Sequence, residues 1–131
     1  MPTYTQSIGI DVSKNKLDVA LLGHAPFTVP NTMHGIQRIL RLCQPHTSVI
    51  MEATGKYHQL CAITLASAGT NIAVLNPYHA KKLTDTSVRQ RKTDAIDAQK
   101  LAQLGTHHFD TQRFMETREQ ILLKNKIGFV A

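Results

Sequence analysis

Four carboxylates stand where acid is least expected in this chain. Asp11 ends the apolar run Ile8-Gly9-Ile10, and Glu52 ends the run Val49-Ile50-Met51. Asp94 and Asp97 are three residues apart in a helical pattern, so both point to one side of a helix. The chain has nine acidic residues against fifteen Lys and Arg, so nearly half of its acid is committed to these positions. A carboxylate at the end of a buried strand loses hydration and needs a compensating positive charge. In a basic protein the economical compensation is a divalent cation held against a nucleic-acid phosphate. Mg²⁺ takes oxygen ligands and keeps several waters, so a few carboxylates and substrate phosphates suffice. Two such ions about 4 Å apart can activate an attacking oxygen and stabilise a leaving one in phosphodiester chemistry.

Each acid also has a plainer reading. Asp94 suits a helix N-terminus through the helix dipole alone. Asp97 can pair with Lys100 on a solvated face, Glu52 can cap the turn at Thr54-Gly55, and Asp11 can cap a hairpin turn through Ser13 and Lys14. The combination, set on this order of elements, favours metal chemistry.

The elements that must position these residues follow from periodicity. Tyr4–Val12 reads as a strand with Gln6, Ile8, Ile10 and Val12 on one face and Ser7, Gly9 and Asp11 on the other. After the polar turn Ser13-Lys14-Asn15-Lys16, Leu17–Leu22 returns as an antiparallel partner, and Pro26–Val29 supplies a third short strand. Asn31 or Thr32 caps a helix carrying Ile36, Ile39, Leu40 and Cys43. Val49–Met51 is a strand buried on both faces. Tyr57, Leu60, Cys61, Leu65 and Ala68 form the stripe of the next helix, which Gly69 ends, and Ile72–Leu75 is a further strand. Asn76-Pro77 opens another helix. Thr93 caps one bearing Asp94, Asp97, Ala98, Leu101 and Leu104. The expected fold is α/β: a mixed sheet of three antiparallel N-terminal strands and two further parallel strands, with flanking helices. Strand carboxyl ends are the functional edge of such sheets, and Asp11 and Glu52 occupy them.

At 131 residues the chain has the size of about one domain. A net charge of +6 and a pI near 9.6 favour anionic partners such as nucleic acid. Lys81, Lys82, Arg89, Arg91 and Lys92 lead directly to Asp94, and Lys14 follows Asp11. These six cations are the candidate phosphate-binding residues. Tyr57, His58, Tyr78 and His79 are candidates for base stacking or phosphate contact, although such side chains also commonly pack half-buried. Cys43 and Cys61 form no C-x-x-C pair and read as buried thiols of a reducing compartment. With no leader-like start and no apolar stretch long enough for a bilayer, the expectation is a cytoplasmic protein with no membrane partner.

Three strings, Ile8-Gly9-Ile10-Asp11-Val12-Ser13-Lys14, Met51-Glu52-Ala53-Thr54-Gly55 and Lys92-Thr93-Asp94-Ala95-Ile96-Asp97-Ala98, closely resemble signature blocks of one family. It is the DEDD transposases of bacterial insertion sequences (the insertion-sequence 110 family), which includes Piv-type DNA invertases. The resemblance covers roughly residues 6–105, and Asn76-Pro77 and the basic stretch through Arg89 and Arg91 agree with it. It implies a ribonuclease H-like, RuvC-like domain over residues 1–105, with Asp11, Glu52, Asp94 and Asp97 as the catalytic tetrad binding Mg²⁺ (or Mn²⁺). In the family this domain works with a C-terminal domain that supplies a serine nucleophile, in an oligomer that recombines DNA under the guidance of a structured RNA. No serine here matches that nucleophile. Residues 106–131 are expected to begin a helical connector or tail without partners for its apolar positions, and strand transfer by this polypeptide alone is not expected. Two functional alternatives stand beside the transposase reading: a DNA- or RNA-binding module without chemistry, and a junction-resolvase-like nuclease using water.

Overall fold

Alternation in the first twelve residues decides the architecture, because it gives one strand two chemically different faces. The computed structural model describes residues 6–53, 55–75, 98–103 and 115–126. Strand β1 (Gln6–Val12) buries Ile8, Ile10 and Val12 on one side and carries Ser7, Gly9 and Asp11 on the other. The turn that follows is closed by Ser13, whose backbone N–H and side-chain hydroxyl both donate to the Lys16 carbonyl at 3.0 Å. Strand β2 (Lys16–Leu21) then runs antiparallel to β1, and β3 (Phe27–Pro30) runs antiparallel to β2. Proline is accommodated in β3 because that strand is the sheet edge.

Helix α1 (Met33–Leu40) begins at Thr32, whose hydroxyl accepts from the Gly35 N–H at 3.3 Å. Strand β4 (Thr47–Glu52) pairs parallel to β1, and β5 (Asn71–Leu75) pairs parallel to β4. Helix α2 (Gln59–Ser67) connects them and ends before Gly69, whose φ of 89° is one that favours glycine. A helical stretch, α3, occupies residues 98–103. Strand β6 (Met115–Thr117) pairs antiparallel to β5 and leads into helix α4 (Arg118–Lys126). The sheet order is β3-β2-β1-β4-β5-β6. The expected antiparallel start and parallel continuation are both present.

Paired residues on neighbouring strands share a face, so the register divides the sheet cleanly. One face holds Ile8, Ile10, Val12, Leu17, Val19, Val49, Met51, Ile72 and Val74. Against them pack Ile36 and Ile39 of α1, Cys61 and Leu65 of α2, and Ile121 of α4. Each such fully buried aliphatic side chain contributes about 2 kcal/mol. The other face holds Ser7, Gly9, Ala20, Ser48 and Ala73 together with the buried Ile50 and Leu75, and α3 is laid against β1 and β2 through Ala98 and Ala102.

Three sequence expectations need correction or placement. The sixth strand was not expected, and in the C-terminal stretch expected to lack apolar partners Ile121 is buried in the main core with Leu122 packed against it, while Leu123 is exposed. Tyr57, Leu60 and Ala68 do not belong to the buried stripe of α2: they are exposed, and Cys61, Ala62, Leu65 and Ala66 form that stripe. The helix expected at Asn76-Pro77, the Thr93 cap and the boundary near residue 105 lie outside the described residues.

Candidate functional site

Asp11 and Glu52 emerge at the carboxyl ends of adjacent parallel strands, on the face that carries Gly9. The register between β1 and β4 runs unbroken from Gln6↔Thr47 to Ile10↔Met51. The next residues along it are Asp11 and Glu52, both half-buried. Each is still paired on its outer side, Asp11 with Asp18 of β2 and Glu52 with Leu75 of β5. Both acids thus stand in the rung position that directly follows Ile10↔Met51.

Asp18 makes this edge more acidic than the sequence reading anticipated. It faces Asp11 directly across the hairpin and is almost fully buried. Like charges placed directly opposite in a strand pair repel. Asp18 is turned toward other partners: Thr28 donates its hydroxyl hydrogen to Oδ1 at 2.6 Å, and Lys16 Nζ lies 3.9 Å from Oδ2. That Oδ2 accepts no hydrogen bond among the described residues. The hairpin arithmetic held the signal, since a turn centred between Lys14 and Asn15 puts residue 18 opposite residue 11.

Gly9 positions the third component. A Cβ on Gly9 would run into the Ala98 carbonyl oxygen and the Ala102 amide, and would stand 2.9 Å from the Leu101 Cβ. Only a residue without a side chain lets α3 approach β1 this closely. Ser7 adds a specific tie by donating its hydroxyl hydrogen to the Ala102 carbonyl. The helix that follows Asp94 and Asp97 in sequence is thus seated two residues from Asp11, on the same face.

Of the predicted site residues, Asp11 and Glu52 are brought level, and Lys14 is exposed in the turn just beyond Asp11. Asp94, Asp97, Lys81, Lys82, Arg89, Arg91 and Lys92 lie outside the described residues, as do Tyr78 and His79. Among the described residues no three His, Cys, Asp or Glu side chains form a group able to hold a metal ion. Asp11 and Glu52 are hard oxygen donors of the kind Mg²⁺ or Mn²⁺ takes, and they supply half of the predicted ligand set. Lys56 is a further exposed cation, beside exposed Tyr57 and half-buried His58, in the loop after Glu52.

Both cysteines are free thiols. Burial, with a smaller contribution from neighbouring Cys43, pushes the Cys61 thiol up to about 12. Burial also raises Cys43, partly offset by a hydrogen bond with Thr70. Neither thiol has the depressed pKa of a reactive cysteine. Among the described residues no helix is long and apolar enough to cross a membrane.

A mixed sheet that begins with an antiparallel meander, continues with parallel strands and carries acids at the carboxyl ends of β1 and β4 has the ribonuclease H-like, RuvC-like α/β architecture. A family profile described as transposase, that of the DEDD transposases of the insertion-sequence 110 group, matches residues 8–124, and the chain belongs to that family. It is also similar to the pilin gene-inverting proteins of Moraxella bovis and Moraxella lacunata, with 31% identity to each over 107 residues. Those matches cover 75% of this chain and 33% of each relative, so the chain spans about a third of the length of the curated relatives it matches. The family is one of transposases and DNA invertases.

Proposed function

We propose that this chain is the metal-binding catalytic domain of a bacterial transposase, acting in phosphodiester cleavage and strand transfer during DNA transposition. The observation that carries the reading is the level position of Asp11 and Glu52 beside a helix seated on Gly9. Asp97 immediately precedes Ala98, whose carbonyl faces Gly9, and consecutive Cα atoms are about 3.8 Å apart. On this reading Asp94 and Asp97 complete a set of four oxygen donors with Asp11 and Glu52, suited to Mg²⁺ or Mn²⁺. A divalent ion held there would lower the pKa of an attacking oxygen and neutralise charge developing on the phosphate.

The protein's own contributions are positional and electrostatic. Asp11 and Glu52 enter from two rigid strands, and Asp94 and Asp97 from the segment leading to α3. Lys14, Lys81, Lys82, Arg89, Arg91 and Lys92 hold the phosphates on either side of the reacting bond. No nucleophile is assigned within these residues. In the full-length protein we take DNA as the substrate, a structured RNA as the guide, a homo-oligomer as the acting form and the bacterial cytoplasm as the compartment.

Binding to branched DNA, followed by fluorescence anisotropy with Mg²⁺ or with chelator, tests the reading. Mg²⁺ is expected to tighten binding in the wild type and to have no effect in Glu52→Gln. The triple variant Arg89→Ala/Arg91→Ala/Lys92→Ala should bind more weakly at every DNA sequence, with a shallower salt dependence. Identical binding with Mg²⁺ and with chelator would reduce the chain to a nucleic-acid-binding module.

A further inference from the structure

The two carboxylates sit just past the end of their shared ladder. Between β1 and β4 the last paired rung is Ile10↔Met51, and the two acids are the residues that directly follow it. One amide side chain joins the two loops that lead away from the acids. Asn31 Nδ2 donates to the Ser13 carbonyl at 3.0 Å and to the Tyr57 carbonyl at 2.9 Å. Ser13 is two residues past Asp11, and Tyr57 is five residues past Glu52. Both hydrogens of the amide are thus used, one on each loop. The orientation is fixed by chemistry, because both partners are carbonyl acceptors and only the nitrogen can donate to them.

Asn31 is itself anchored. Its backbone N–H donates to the Asn15 carbonyl at 3.1 Å, and it directly precedes Thr32, the cap of α1. Its Oδ1 is buried and accepts no hydrogen bond among the described residues. A buried acceptor without a donor is unfavourable. The side chain keeps this orientation because turning it over would set oxygen against two carbonyls.

We propose that Asn31 is a positioning residue for the acid pair: it ties the loop after Asp11 to the loop after Glu52 and so holds in place both loops that border the two carboxylates. The inference rests on the metal-binding reading of those acids. No other side chain of similar size does the same. Asp lacks the two donors, Ser has one hydrogen, and Leu has none.

The test is calorimetric titration of Mn²⁺ into the wild type, Asn31→Asp, Asn31→Ala and Asp11→Asn, with amide hydrogen exchange on the first three. Ile39→Val, a core change in α1 remote from the staple, controls for general loss of stability. Removing the staple should weaken Mn²⁺ binding roughly tenfold, as loss of an outer-shell support does. It should also speed exchange in both residues 13–16 and residues 55–58. Ile39→Val should leave Mn²⁺ affinity unchanged. Asn31→Ala avoids the carbonyl repulsion and serves if Asn31→Asp does not fold. Wild-type affinity in either Asn31 variant, or unchanged exchange at residues 55–58, overturns the inference. If Asp11→Asn binds Mn²⁺ as the wild type does, or the wild type binds none, the metal-binding reading fails instead, and the exchange data still decide whether the staple exists.

Discussion

The two faces of the sheet are built from different residues and behave as different materials. One face sets Ile8, Ile10, Leu17, Val19, Val49 and Met51 against three helices and makes a thick aliphatic core. The other sets Ser7, Gly9 and Ala20 against Ala98 and Ala102, so a helix backbone comes almost into contact with a strand backbone. The first face holds the fold together through buried area. The second buries Ile50 and Leu75 beside the small residues of β1 and also holds carboxylates at a defined edge. Close backbone approach at Gly9 leaves room on this face for acids whose desolvation is unfavourable.

Substitutions on each face separate the two roles. Ile10→Ala, on the thick face, should show the largest effect, lowering unfolding free energy by about 4 kcal/mol in chemical denaturation. Divalent-metal affinity of the folded protein should not change. Gly9→Val, on the neighbouring residue and the opposite face, should cost about 2 kcal/mol because its side chain would displace α3. Unlike Ile10→Ala, it should also abolish metal binding. Equal metal affinity in the two variants would erase the distinction between the faces.

Thr28→Val removes the hydroxyl that donates to Asp18 Oδ1 and should cost about 1–2 kcal/mol by the same measurement. A neutral result there would mean that Asp18 is satisfied from elsewhere. The smallest effect belongs to Cys61, buried in the thick core. Its thiol is raised in the folded state, so the neutral form is favoured there, and its stabilising contribution is intact below the ordinary thiol pKa near 9. The unfolded chain releases the proton first as pH rises, so that contribution falls between pH 9 and about 12. By pH 10 the loss should be about 1 kcal/mol, absent in Cys61→Val, as read from denaturation midpoints across pH.

Much of this contrast was legible in the residues. Period-two alternation separated Ile8 and Ile10 from Ser7, Gly9 and Asp11, and the short polar turn fixed the hairpin. The continuous run at Val49–Met51 announced a central parallel strand. The pairing of Met115–Thr117 with β5 escaped because three residues are too few to display a period. Tyr57 and Leu60 carried helical spacing, but α2 begins at Gln59 and its buried side is centred on Cys61 and Leu65. At the site, spacing pointed to Asp11 and Glu52 through their places at strand ends. Asn31 was visible only as a possible cap, since its part depends on carbonyls eighteen and twenty-six residues away. Contacts of that range leave no local pattern.

The central claim is that the acids on the Gly9 face act together as one divalent-metal site. Calorimetric titration of Mn²⁺ into the wild type and into Asp97→Asn tests it most directly, because Asp97 joins the site only if the segment before α3 reaches the strand ends. The account predicts saturable binding in the wild type and its loss in Asp97→Asn. Undiminished binding in that variant would contradict it.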